Sequence, residues 1–346
     1  MKKLCVALVL LIALSVPVAG AQISSPQPPD RVEDMVSQEK NTFAEGLQYV
    51  LSVALKKIAP DFREAVRLCA GLFATVLILS LLKSYEGKSK AIVDLSGVVA
   101  IGCMMMDGCN TMIRLGSQTV EELSQYGNAL IPVMTTALAA QGGTSSAATI
   151  CAATVFFDAI LTKAITYLLV PGIYIYLVVA IVNVAVGDRL MIKISDLIRW
   201  VLTWGLKLVL YAFTGYISIT SVITGTADQT ALKVAKVAFG GMIPVVGGIV
   251  SDASETILVG AALVKNSVGI YGMLVLIAIV IGPFLKIGVQ YLLLKLTAAI
   301  CGIFSDKSVN GLLESFSTAM GLLLSMTGTV CLLLMISMVC FLKGMG

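Results

Sequence analysis

The sequence is built from apolar runs long enough to cross a bilayer, and that constrains the fold more than any motif does. A membrane-crossing helix needs about 20 mainly apolar residues, with a range of roughly 17–25. Runs of this kind, some shorter, are Val66–Leu82, Ala91–Ile113, Asn128–Ala140, Ala147–Tyr167, Leu168–Gly187, Trp200–Ile223, Val237–Leu263, Val268–Gly288, Val289–Phe304 and Phe316–Leu342. In lipid the backbone must satisfy its own hydrogen bonds, so runs of this length read as helices. The expected fold is all-α: a polytopic membrane protein of about 7–9 transmembrane or re-entrant helices. Composition agrees, because 58% of residues are hydrophobic and 13% charged. Soluble domains carry about 25% charged residues, so too few are present to coat a globule of this size.

The same composition excludes several kinds of chemistry. Histidine is absent, which removes the commonest general base and the commonest metal ligand. None of the eight cysteines forms a Cys-x-x-Cys pair, and the seven beyond Cys5 lie in or beside apolar runs, where cysteine acts as a small hydrophobe. The net charge is +4 without a long basic run, so nucleic acid is not an expected partner. No phosphate-binding Gly-x-x-x-x-Gly-Lys-Ser/Thr loop occurs. No metal, cofactor or catalytic residue is expected.

Residues 1–21 have the anatomy of an export signal. Lys2 and Lys3 precede the apolar Leu4–Val16, and Ala19-Gly20-Ala21 is a small-residue cleavage site. Cleavage after Ala21 would start the mature chain outside the cytoplasm. Residues 22–42 are polar and read as an exposed extracytoplasmic linker. Residues 43–60 follow as an amphipathic helix, with Phe43, Leu47, Val50, Leu51, Ala54 and Leu55 on one face. Beside a membrane domain, this fits a helix lying in the bilayer interface. Residues 61–346 form the multi-spanning domain.

Loop charge orients the first spans. Lys83, Lys88 and Lys90 fall in a tight loop expected in the cytoplasm. Glu121 and Glu122 mark an expected loop outside and, if Asn128–Ala140 crosses, Arg189, Lys193 and Arg199 a cytoplasmic one. Beyond Ile223 the count stays open, because Val237–Leu263 can cross or re-enter.

Two segments, 127–147 and 239–260, are broken by Pro132 and by Pro244, each inside an Ile-Pro-Val, and carry Gly142, Gly143, Gly247 and Gly248. Irregular backbone at membrane depth survives only against protein or a water-filled cavity. Pro132, Pro244, Gly247 and Gly248 are therefore candidate pathway or packing residues. Each Ile-Pro-Val is followed by a Gly-Ile-Tyr, at Gly172–Tyr174 and Gly269–Tyr271. A duplicated unit over 119–187 and 230–288 is one reading, and chance recurrence of common membrane residues is the other. Among charged groups in apolar runs, Asp107, Asp158 and Lys163 are the candidates for function, since a charge at a span centre costs at least about 2.5–3.5 kcal/mol. Plentiful small residues, with 31 glycines, suit close packing of helices or a homo-oligomer.

An intramembrane aspartyl protease would need two aspartates, one after an aromatic residue and one in a Gly-x-Gly-Asp run. Phe157-Asp158 fits the first, but Ala185-Val186-Gly187-Asp188 departs at Ala185. A different resemblance covers most of the chain from about residue 40 onward. The run MIPVVGGIVSDASETILVGAALVKNSVGIYG, Met242–Gly272, resembles the signature stretch of the stage III sporulation protein AE family, and IGPFLKIGVQYLLLKLTAAI, Ile281–Ile300, is similar to it too. The resemblance implies a non-enzymatic polytopic subunit of the secretion-like channel, the feeding tube, joining mother cell and forespore. It also implies the mother-cell membrane around the forespore as location. The partners it implies are the other stage III sporulation A-operon membrane proteins, their ATPase and ring-forming intermembrane proteins. The alternative from the residues alone is a self-contained secondary transporter for a small solute, using broken helices and intramembrane aspartates.

Overall fold

Apolar residues recur every three to four positions, and the chain answers with helices; no strand occurs among the described residues. The computed structural model describes residues 26–36, 43–85, 90–140, 144–186, 189–223, 267–305 and 307–344. A short 3-10 turn, Asp30–Met35, comes first. The α-helices are α1 (Phe43–Lys57), α2 (Ala59–Tyr85), α3 (Lys90–Ala140), α4 (Thr144–Ala164), α5 (Val170–Val186), α6 (Arg189–Ile223), α7 (Ser267–Cys301) and α8 (Lys307–Gly344). A π-helical turn, Ile165–Leu169, joins α4 to α5 without a break. Among the described residues, six helical stretches are long and apolar enough to cross a membrane: Ala59–Leu82, Leu95–Thr136, Ala148–Val184, Leu190–Ile219, Gly269–Cys301 and Val309–Leu342. The all-helical, multi-spanning reading holds.

The helices are longer than expected, because several anticipated breaks do not break them. Glu121 and Glu122, expected in an outside loop, lie inside the 51-residue α3, which also runs through Pro132. Pro132 is exposed, so its ring and the carbonyl left without a donor displace no packed neighbour. The expected pair of spans 147–167 and 168–187 is one rod, with the π turn absorbing the mismatch. The expected pair 268–288 and 289–304 is the single helix α7, continuous through Pro283.

α8 is the axis of the bundle. It packs against α7, α3, α4, α5 and α6, and Leu312, Phe316, Leu323, Val330 and Leu333 are fully buried along it. Glycines set the close approaches. A Cβ at Gly269 would lie 2.5 Å from Leu342, one at Gly127 2.7 Å from Leu334, and one at Gly172 2.6 Å from Leu202. Both Gly-Ile-Tyr glycines thus seat a leucine of a neighbouring helix. The rest of the second repeat unit, like the signal segment, lies outside the described residues.

Two N-terminal expectations change. Part of the linker 22–42 is not exposed, because Val32, Met35 and Val36 are buried where the 3-10 turn packs on α7 and α1. α1 lays Phe43, Gly46, Val50 and Ala54 against the protein, with Gly46 seated on Leu274 of α7. Only the edge of its apolar face, including Leu51 and Leu55, is exposed.

Candidate functional site

The buried polar groups concentrate where α3, α4 and α8 meet. Asp158 sits on α4 amid apolar sequence, and the helix phase turns it fully inward, at 0% exposure. Ser124 of α3 donates its hydroxyl to Asp158 Oδ2 at 2.6 Å. One turn on, Asn128 Nδ2 lies 3.4 Å from the same Ser124 oxygen. One turn before Asp158, the Thr154 hydroxyl lies 2.9 Å from that of Ser337 on α8. Thr154 and Ser337 also bond backward to Ile150 and Leu333 carbonyls of their own helices. Asp158 Oδ1 has no hydrogen-bond partner among the described residues. Beside this cluster Phe157 packs edge-on to Phe213 of α6 at 5.5 Å. Polar contacts of this kind tie helices together where apolar side chains alone give little directional preference.

The other sequence candidates do not join Asp158. Asp107 is exposed on α3, and its backbone carbonyl accepts the Thr111 hydroxyl. Lys163 is exposed near the end of α4, on another face from Asp158. Pro132 lies on the outer face of α3. Pro244, Gly247, Gly248 and the protease candidate Asp188 lie outside the described residues. Among those residues no group of three or more Cys, Asp or Glu could hold a metal ion.

A second polar site was not anticipated. Pro283 has no N–H, so it cannot donate to the carbonyl four residues back, Ile279. Arg31 of the 3-10 turn donates Nη2 to that carbonyl at 3.1 Å. The same nitrogen lies 2.7 Å from Glu122 Oε2 on α3. One side chain therefore serves an orphaned acceptor of α7 and a carboxylate of α3. Nearby, Lys286 of α7 pairs with Asp61 of α2 at 2.7 Å, and Lys295 lies 5.5 Å over the Tyr291 ring. The interior Pro283 with Lys286 just beyond it was a visible signal for this site; the distant Arg31 gave none.

The comparisons with known proteins bear on the whole chain. The family model described as stage III sporulation protein AE matches residues 29–344. The chain belongs to the stage III sporulation protein AE family. It is 28% identical over 197 residues to the stage III sporulation protein AE of Bacillus subtilis (strain 168), an alignment covering 57% of this chain and 49% of that relative. The match thus spans about half the length of the curated relative. No solved structure matches the chain. The family and the six apolar helices together make this a multi-pass membrane protein of sporulation. The family match takes in Arg31, Glu122, Asp158 and Pro283 alike, and with them every α-helix described above.

Proposed function

We propose that this chain is a non-enzymatic membrane subunit of the channel complex between mother cell and forespore, held in the mother-cell membrane around the forespore and needed for spore development. The observation that carries this reading is the family match over residues 29–344. An export signal at residues 1–21, removed after Ala21, would deliver the mature N-terminus outside the cytoplasm. The partners are other membrane proteins of the same sporulation operon, their ATPase and ring-forming proteins between the two membranes. The chain's own share is scaffolding: its described polar groups tie helices to one another, as in Ser124–Asp158 and Lys286–Asp61. Deleting the gene in a sporulating host is expected to arrest development after engulfment. Normal spores from the deletion strain would overturn the proposal.

A self-contained transporter is the second reading, favoured by one observation, the buried Asp158 with an unpartnered oxygen. It requires substrate-dependent uptake by the purified chain alone in liposomes, lost in Asp158→Asn. The subunit reading expects no such uptake.

A further inference from the structure

Most rods of this bundle are far longer than a bilayer is thick. α3, with 51 residues, extends about 77 Å at ~1.5 Å per residue, against a hydrocarbon core of about 30 Å. Residue contacts set a common level across the rods. At that level Lys286 meets Asp61, and Gly116 faces both Ile287 and Met326. Toward one end Ser80 bonds the Phe304 carbonyl at 3.0 Å, Gly97 meets Leu79 and Gly302 meets Asn310. Toward the other end Gly46 meets Leu274, Gly127 meets Leu334 and Gly269 meets Leu342.

The two halves expose different surfaces, and α7 samples both. Met273, Leu276 and Ile279 are buried, whereas Leu292 is 63% and Leu296 56% exposed. α3 shows the same change: Leu95, Val99 and Met104 are exposed, and past Met104 no large apolar residue of α3 is, among the described residues. The dividing level itself carries charge. Arg31–Glu122 and Lys286–Asp61 lie there, with exposed Arg63, Glu64 and Arg114 around them. From Asp61 to Leu82 the α2 rod covers about 32 Å, one hydrocarbon thickness.

We propose that only this half, from the charged level to the α2–α3 connection, is immersed in lipid, with acyl chains lying against the arc α7–α2–α3–α5. The other half, which holds α1, α4 and Asp158, stands clear of the bilayer on the extracytoplasmic side. The orientation follows from the connections at the immersed end, which carry Lys83, Lys88, Lys90, Arg189 and Lys307 and so mark the cytoplasmic face. α6 stands at the edge of the arc: its immersed half exposes Lys193, Asp196 and Arg199, poor neighbours for lipid, together with Leu197, Trp200 and Trp204, whereas the helices of the arc expose single charges there, at Arg67, Asp107 and Lys295. Among the described residues of the projecting half, the exposed large apolar ones are confined to α1 (Leu51, Leu55), α4 (such as Phe156) and α6 (such as Ile219). Asp158 is then buried in protein beyond the lipid and meets no acyl chain.

The full chain in lipid nanodiscs, with native cysteines replaced and single bimane-labelled cysteines introduced, tests this. Probes at Ile78→Cys, Val178→Cys and Leu296→Cys are expected to be quenched by doxyl-labelled lipid and spared by aqueous iodide. Probes at Ser52→Cys, Gln125→Cys and Phe156→Cys are expected to show the reverse. Equal lipid quenching at Phe156 and Leu296 would overturn the proposal, as would iodide quenching at Leu296. The unaltered chain supplies a check that needs no replacement: exposed Cys103, in the immersed half, is expected to resist a water-soluble maleimide and react with a lipid-soluble one. In intact spheroplasts an impermeant maleimide added outside is expected to label Ser52→Cys and Gln125→Cys; protection of both would overturn the orientation.

Discussion

Arg31 joins residues 248 apart in sequence when it reaches the Ile279 carbonyl. A hydrogen bond from a charged donor contributes about 1.5–3 kcal/mol. The partly exposed pair with Glu122, at 38% and 29%, contributes little more after solvent screening. Arg31→Ala is therefore expected to destabilise the purified protein by about 1.5–3 kcal/mol. Pro283→Ala restores a backbone donor for Ile279, so the Arg31→Ala loss should shrink in that background. Thermal midpoints of the four proteins in one detergent at one scan rate check this, and a loss that is the same in both backgrounds would remove Ile279 from the account. Asp158 behaves differently. Asp158→Asn keeps an acceptor for Ser124 and is expected to be nearly neutral, while Asp158→Ala strands that hydroxyl at a cost of about 1–3 kcal/mol. Equal midpoints for the two variants would show that the Ser124 bond contributes nothing. Asp158 was legible in the sequence because a lone acid in an apolar run must find a partner. Asp107 and Lys163 carried the same signal yet are exposed, since helix phase relative to unseen neighbours decides the outcome. Ser124, Thr154 and Ser337 were not legible, because hydroxyls that bond their own helix are common in such sequences.

Helix existence was readable and helix continuity was not. Hydropathy finds apolar runs of about 20 residues and places a boundary wherever polar residues intervene. Here Glu121 and Glu122 intervene without ending α3, because Glu122 finds Arg31 on a segment the local window never sees. The junction of α4 and α5 shows why the rule fails at Tyr167. A π turn adds about one residue to an α-helix, so the helices on either side keep their faces toward α8. Deleting Tyr167, which is 79% exposed, should convert that turn to α-helix and leave the flanking faces in phase. Deleting Ile175, also exposed, should rotate the buried Tyr176, Leu177 and Ala180 off their contacts by about 100°. The first variant is expected to purify as a monodisperse species with a thermal midpoint near the parent's, and the second to aggregate. Similar behaviour of the two deletions would mean the π turn is not what sets the phase.

At the scale of the whole molecule, composition could not say whether forty apolar residues make two stacked spans or one long rod, because both bury the same side chains. The described rods give the chain directions that the sequence left open on either side of residues 224–266. α3 runs from the α2–α3 connection to the far end, α4–α5 returns, and α6 leaves again. Gly269 at the start of α7 seats Leu342 near the end of α8, and Phe157 of α4 packs on Tyr216 toward the end of α6. Ile223, Ser267 and Gly344 therefore belong to one end of the bundle, the end where α1 begins. Whatever path residues 224–266 take, the chain leaves and rejoins the bundle on the same side. Since positive charge marks the opposite end as cytoplasmic, alkaline phosphatase fused after Gly346 is expected to be active, and so is a fusion after Ile223. A fusion after Ser84, at the basic end, is expected to be inactive. Activity after Ile223 without activity after Gly346 would break the shared register of α6, α7 and α8. Activity after Ser84 would invert the whole bundle in the membrane.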